Sequence, residues 1–134
     1  MSQEEAIYQW LDNMSKSVAM QDLEKHMSLV SPYVRVYGIP GHETIDYDGW
    51  RQRRKNEFEH DLLARLTYKV VRIKTQALRR LAFQVEETLS ARNGKSVVLN
   101  KDIMLELEPD DKWRVVEEKV HDWEVRESAT QETL

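Results

Sequence analysis

Apolar residues recur every three or four positions up to about Leu62 and every second position beyond it. That change of period predicts helices in the first half of the chain and strands in the second. One stretch interrupts the helical part, Ser31 to Phe58. Ser31-Pro32 stops a helix, because the residue before proline is driven out of the helical region and proline has no amide hydrogen. Tyr33 to Tyr37 is then a short β-prone run, Gly38, Pro40 and Gly41 break it, and Asp46 or Asp48 caps a new helix entered through Trp50. Strand, loop and helix together make a candidate pocket rim.

Before that stretch, Ser2 and Glu5 form a capping box, and Ile7, Trp10, Leu11, Met14 and Val18 recur at helical spacing. Asp22 caps a second, shorter helix with an inner face of Leu23, His26, Met27 and Val30. The third helix, from about Gly49 to His60, carries Trp50 and Phe58 among charged residues. Arg53 with Glu57 and Lys55 with Glu59 support it at i,i+4 by about a few tenths of a kcal/mol each.

Beyond Leu62, Leu66, Tyr68 and Val70 alternate with polar residues, and Val71 and Ile73 then continue out of phase, through a bulge or burial of both faces. Leu81, Phe83, Val85 and Leu89 define one face of the next strand, with Glu87 among them. Asn93-Gly94 is the favoured pair for a two-residue hairpin turn, which folds this strand back on Val97, Leu99, Ile103, Leu105 and Leu107. After a turn at Glu108-Pro109-Asp110-Asp111, residues Trp113, Val115, Val116, Val120, Trp123 and Val125 mark a last strand that shifts phase in its middle. Residues 127–134 read as a polar, frayed tail.

A length of 134 residues suits one domain with one core. No apolar run approaches the roughly 20 residues that span a bilayer, and the acidic N-terminus does not resemble a signal peptide, so the protein is read as cytoplasmic and away from membranes. A net charge of −4 argues against a nucleic-acid partner. With no cysteine there is neither a disulfide framework nor a thiol nucleophile, and His26, His42, His60 and His121 show no metal-ligand spacing. No metal or cofactor is implied, since phosphate-binding, dinucleotide and serine-hydrolase signatures are all missing.

The order of elements, the helix from Ile7 to Val18, the segment Leu23 to Val36 and the Asn93-Gly94 hairpin resemble the nuclear transport factor 2-like superfamily, also called SnoaL-like or ketosteroid-isomerase-like. The likeness covers roughly residues 4 to 126. It implies an α+β fold: a strongly curved antiparallel sheet wrapped around N-terminal helices as a cone with an interior pocket, and a homodimer through the outer face of the sheet. The family includes isomerases, dehydratases, cyclases and epoxide hydrolases as well as binding and dimerisation modules. The place of the isomerases' catalytic aspartate looks here like Tyr37-Gly38, and no arginine stands between two aspartates as the epoxide hydrolases require, so neither of those chemistries is implied.

A pocket enzyme of this shape needs a base tuned toward neutrality and a donor to the developing oxyanion. His26 on its apolar stripe and Glu87 among Phe83, Val85 and Leu89 are the candidate bases, with Tyr37 or Tyr33 as donor. Tyr33, Tyr37, Trp50, Phe83 and Trp123 are candidate ligand-lining residues. Two function classes follow: a dimeric module binding a small apolar ligand or none, and a cofactor-independent isomerase or dehydratase. A third reading docks an acidic partner on Arg51, Arg53, Arg54 and Lys55.

Overall fold

The computed structural model describes residues 2–127. Ser2 Oγ accepts the Glu5 N–H at 3.1 Å and starts α1 (Gln3–Ala19), which buries Ile7, Trp10, Leu11, Met14 and Val18 on one face. Asp22 Oδ1 caps α2 (Leu23–Met27) through the Lys25 N–H at 3.0 Å. This helix ends earlier than the apolar spacing suggests. Val30 already belongs to β1 (Val30–Tyr37), because the chain extends ahead of Pro32. Proline is tolerated there since β1 is an edge strand with an irregular register between Val30 and Arg35. Asp46, rather than Asp48, caps α3 (Tyr47–Glu59), accepting the Gly49 N–H at 2.9 Å.

Four long strands follow: β2 (Arg65–Gln76), β3 (Arg80–Ser90), β4 (Lys95–Leu107) and β5 (Trp113–Glu127). The sheet order is β1-β5-β4-β3-β2, antiparallel except that β1 runs parallel to β5. α1 packs against β2 at one edge of the sheet and also touches β5 near the other, so the sheet curls around it. Leu81, Phe83, Val85, Ile103, Leu105 and Val115 line its concave side and are fully or almost fully buried. At about 2 kcal/mol for each such side chain, this face is a main stabilising element of the fold.

Bulges produce the curl. In β2 the register shifts between Val70 and Arg72, which leaves Val71 as the extra residue and 55% exposed, so burial of both faces is not the reason for its phase. In β5 the shifts fall at Val116 and His121, which puts Val115, Glu118 and Val120 indoors. The β3–β4 hairpin is not a two-residue turn. Residues 91–94 form the loop, only Gly94 of its residues takes positive φ (88°), and Asn93 Oδ1 accepts the Lys95 N–H at 3.0 Å; a two-residue Asn-Gly turn needs both central residues left-handed. Expectations for the tail from 128 onward lie outside the described residues. No helix among the described residues is long and apolar enough to cross a membrane.

Candidate functional site

Three helices meet at His26, which has no solvent exposure. α1 contributes Ser17, whose Oγ donates to the Met14 carbonyl at 2.8 Å and lies 2.9 Å from His26 Nδ1. α3 contributes Trp50 and Arg54, one turn apart, whose Nε1–H and Nε–H reach His26 Nε2 at 3.0 and 3.2 Å. Indole and guanidinium nitrogens only donate, so Nε2 is a bare acceptor and the ring proton sits on Nδ1, directed at Ser17 Oγ. Burial, then the Arg54 and Lys101 cations, lower the His26 pKa to about 2. The ring is neutral and its nitrogens are fully engaged.

The strands supply a second cluster. Glu87 of β3, Lys101 of β4 and Glu118 of β5 share the concave face, each with a side chain at most 4% exposed. Lys101 Nζ hydrogen-bonds Glu118 Oε1 at 2.8 Å and lies 2.8 Å from Glu87 Oε2, so it is ion-paired with both carboxylates. Glu87 Oε1 and Glu118 Oε2 are buried outside these ion pairs, and the Tyr68 hydroxyl is buried beside Glu87. Tyr68 is opposite Glu87 in the β2–β3 register. Burial pushes the Glu118 carboxyl up against the pull of Lys101, and Glu87 adds to the rise. Burial likewise raises the Tyr68 phenol, with Glu87 and Glu118 reinforcing it. Burial opposes the Lys101 charge, yet Glu118 and Glu87 together hold its ammonium above the ordinary lysine range.

Above these groups opens a cavity of about 90 Å³. Its walls are Val36, Ile39, Ile45, Leu89, Leu99 and Val120 with Trp50; Glu87, Lys101 and Glu118 are its ionic part, and Arg53, Arg54 and Glu57 border it from α3. Arg54 is held by Glu57 at 2.7 Å, three residues on, so the Arg53–Glu57 pair expected from spacing is not the one made. Arg51 pairs with Glu24 at 2.6 Å and Lys55 approaches Glu59 at 4.0 Å, which leaves Arg53 as the cation of that run without an ion pair among the described residues. Arg54 is a cavity residue rather than part of a docking surface, with a side chain only 11% exposed.

Of the residues singled out in the sequence, Glu87 and Trp50 line the cavity. His26 stands behind it and touches it only through Trp50 and Arg54. Phe83 is fully buried in the core. Tyr37 is 38% exposed and outside the cavity lining, and Tyr33, 80% exposed, borders a separate surface depression with Pro32, Tyr47 and Arg114. Trp123 is half exposed and pairs with Leu99 of the cavity wall. The sequence reading does not single out Lys101, Glu118 or Tyr68 for the site, and it names Arg54 only as part of a basic docking run. Lys101 was nevertheless in phase with Leu99 and Ile103, which was the available signal. No group of three His, Asp or Glu among the described residues is placed to hold a metal.

No protein-family model matches the chain, and no curated protein matches it in sequence. Solved structures do match. An NTF-2 like protein of unknown function from Shewanella oneidensis MR-1 superposes with a TM-score of 0.73 at 15% identity, over 89% of this chain and 98% of that one. A conserved protein from Planctomyces limnophilus DSM 3776 gives 0.73 at 11%, over 92% and 97%. The epoxide hydrolase/cyclase-like enzyme SalBIII, which acts in pyran ring formation in the polyether salinomycin, gives 0.59 at 12%, over 92% and 95%. The fold is nuclear transport factor 2-like, and likeness at these identities speaks for the fold alone.

Proposed function

We propose that this chain of the nuclear transport factor 2-like fold binds a small amphiphilic molecule in its cone, apolar along the walls and carrying a hydrogen-bond-donating head toward Glu87 and Glu118. The observation that carries the reading is the pair of buried carboxylate oxygens, Glu87 Oε1 and Glu118 Oε2, that lie outside the Lys101 ion pairs beside a cavity walled on its other side by apolar residues. A purely structural ion cluster gains by satisfying its own acceptors, since an unsatisfied buried polar group costs about 1–3 kcal/mol. A hydroxyl or ammonium head supplies the missing donors. The test is a thermal-shift series with cyclohexanol, cyclohexylamine and cyclohexanecarboxylate, matched in apolar body and differing in head. The alcohol and amine raise the melting temperature, the carboxylate does not, and the response falls in Glu87→Gln. Equal responses to all three, or none, overturn the reading.

The raised Glu118 carboxyl favours a second reading, cofactor-independent proton transfer of the isomerase or dehydratase kind. Glu118 would exchange the proton and Lys101 would face the developing oxyanion, whereas His26 has no free nitrogen for the task. Cyclohexanone in deuterated buffer tests it. Exchange of the α-hydrogens faster than in buffer, lost in Glu118→Gln, supports carbon-acid chemistry, and exchange no faster than buffer removes it.

A further inference from the structure

The cavity carries charge at two places, and neither place is balanced in itself. On the strand side Glu87 and Glu118 share Lys101, two carboxylates against one ammonium, with all three side chains at most 4% exposed. On the helix side Trp50, Arg53, Arg54 and Glu57 follow the i, i+3, i+4 and i+7 spacing of one face of α3. Arg54 is committed there: its Nε–H reaches His26 Nε2 at 3.2 Å and its Nη1 is held by Glu57 at 2.7 Å. Arg53 is exposed and makes no ion pair among the described residues, yet it belongs to the lining, so it stands where the cavity meets solvent. The carboxylates of Glu57, Glu87 and Glu118 equal the cations Arg53, Arg54 and Lys101 in number. They are separated in space. The formal negative excess is buried, the unmatched positive charge is at the mouth, and apolar walls lie between them.

We propose that the ligand of the cone is itself dipolar, an ω-hydroxy or ω-amino carboxylate, with its donor end seated at Glu87 and Glu118 and its carboxylate met by Arg53 at the mouth. This rests on the cone-binding reading above and names the class of molecule that the reading leaves open. A molecule of that class lies along the field that the lining sets up, and its hydrocarbon middle lies against the apolar walls. The outer group is a carboxylate rather than a phosphate, because one guanidinium fork matches one carboxylate, whereas a doubly charged phosphate calls for further donors and Arg54 is already engaged. An exposed ion pair contributes little by itself, so a carboxylate whose other end offers no donor to Glu87 and Glu118 gains no seat in the cone. Arg53 adds to binding only once the inner end is satisfied.

The test compares the ω-hydroxy acids of four, six and eight carbons with their methyl esters, which keep the hydroxyl and the chain and lose the charge. Dissociation constants come from titration calorimetry at low salt. At the length that spans the cavity the acid should bind about threefold tighter than its ester, the size of an exposed ion pair, and the gap should close at high salt. Arg53→Gln should abolish the gap, and Lys55→Gln, a charge removed from the same helix outside the cavity, should keep it. The net charge of −4 repels anions in general, so a preference for the acid has a local cause. Esters that bind as tightly as acids at every length, or a gap that persists in Arg53→Gln, overturn the inference while the cone-binding reading stands, since the hydroxyl end still binds. Binding of neither acid nor ester at any length removes the cone-binding reading and this inference with it.

Discussion

Two buried ionisable clusters lie in the interior of this molecule and are built in opposite ways. Around His26 each ring nitrogen has a partner and the ring is neutral, so the cluster ties α1, α2 and α3 together. Around Lys101 two carboxylates compete for one ammonium, and Glu87 Oε1 and Glu118 Oε2 are buried outside those ion pairs. The first is what a satisfied structural network looks like, and the second is what an incomplete one looks like. Burial alone therefore does not mark a functional group here, and unspent hydrogen-bonding capacity beside a cavity does.

The largest expected effect breaks the second cluster. Lys101→Met removes the ammonium that pairs with both Glu87 and Glu118, leaving only the more distant Arg54 charge, and should cost about 3–5 kcal/mol in urea unfolding. Adding Glu87→Gln and Glu118→Gln to it should return most of that stability, because neutral groups need no counter-charge. A loss under about 1 kcal/mol from Lys101→Met alone would mean that water reaches the carboxylates, and the contrast with His26 would collapse.

Next comes pH, which reads the first cluster. An unfolded histidine binds its proton near pH 6.5, whereas folded His26 resists it down to about 2. Between those values the unfolded state holds more protons, so the His26 contribution is complete above pH 6.5 and is lost progressively as pH falls. From pH 6.5 to 5 that loss amounts to about 2 kcal/mol. Glu118 acts with the opposite sign, since its raised carboxyl keeps a proton in the folded state that the unfolded chain gives up as pH rises above its ordinary value. Comparing the wild type with His26→Gln cancels Glu118 and isolates the histidine. The variant should start less stable and lose about 2 kcal/mol less over the same interval. Parallel curves would show that His26 takes up its proton in the folded protein, and that its environment is not the closed one described.

The helices and the succession of strands along the chain could be read from the sequence because caps and periodicity are local signals: Ser2, Asp22 and Asp46 each cap a helix from within three residues. The bulges were legible only as a loss of phase at Val71 and Val116. Glu87 was visible because it interrupts an unshifted apolar face. Lys101 sat in the same phase on β4 but is flanked by Asn100 and Asp102, so the segment reads as a polar break. Glu118 became an interior residue through the shifts at Val116 and His121, which depend on pairing with β4. The meeting of Glu87, Lys101 and Glu118 is thus a property of three-strand register, which composition and spacing do not encode. The parallel pairing of β1 with β5 is non-local in the same way, joining Val36 to Glu118 across most of the chain.

The smallest effect tests what links the two clusters. α3 supplies Trp50 and Arg54 to His26 and the same two side chains, with Glu57, to the cavity, and it begins where Asp46 Oδ1 takes the Gly49 N–H. Asp46→Ala should cost about 1 kcal/mol, the usual worth of a helix cap. If His26 is what holds α3 in place, the helix will fray at its first turn while the Trp50 indole proton stays protected. Its exchange, followed by NMR, should then accelerate by no more than about fivefold, the factor that a 1 kcal/mol loss of global stability allows. Acceleration far beyond the measured loss of stability would mean that the cap, and not the histidine, positions Trp50. The satisfied cluster would then be a consequence of where α3 lies, and the cavity wall would owe its shape to a single surface carboxylate.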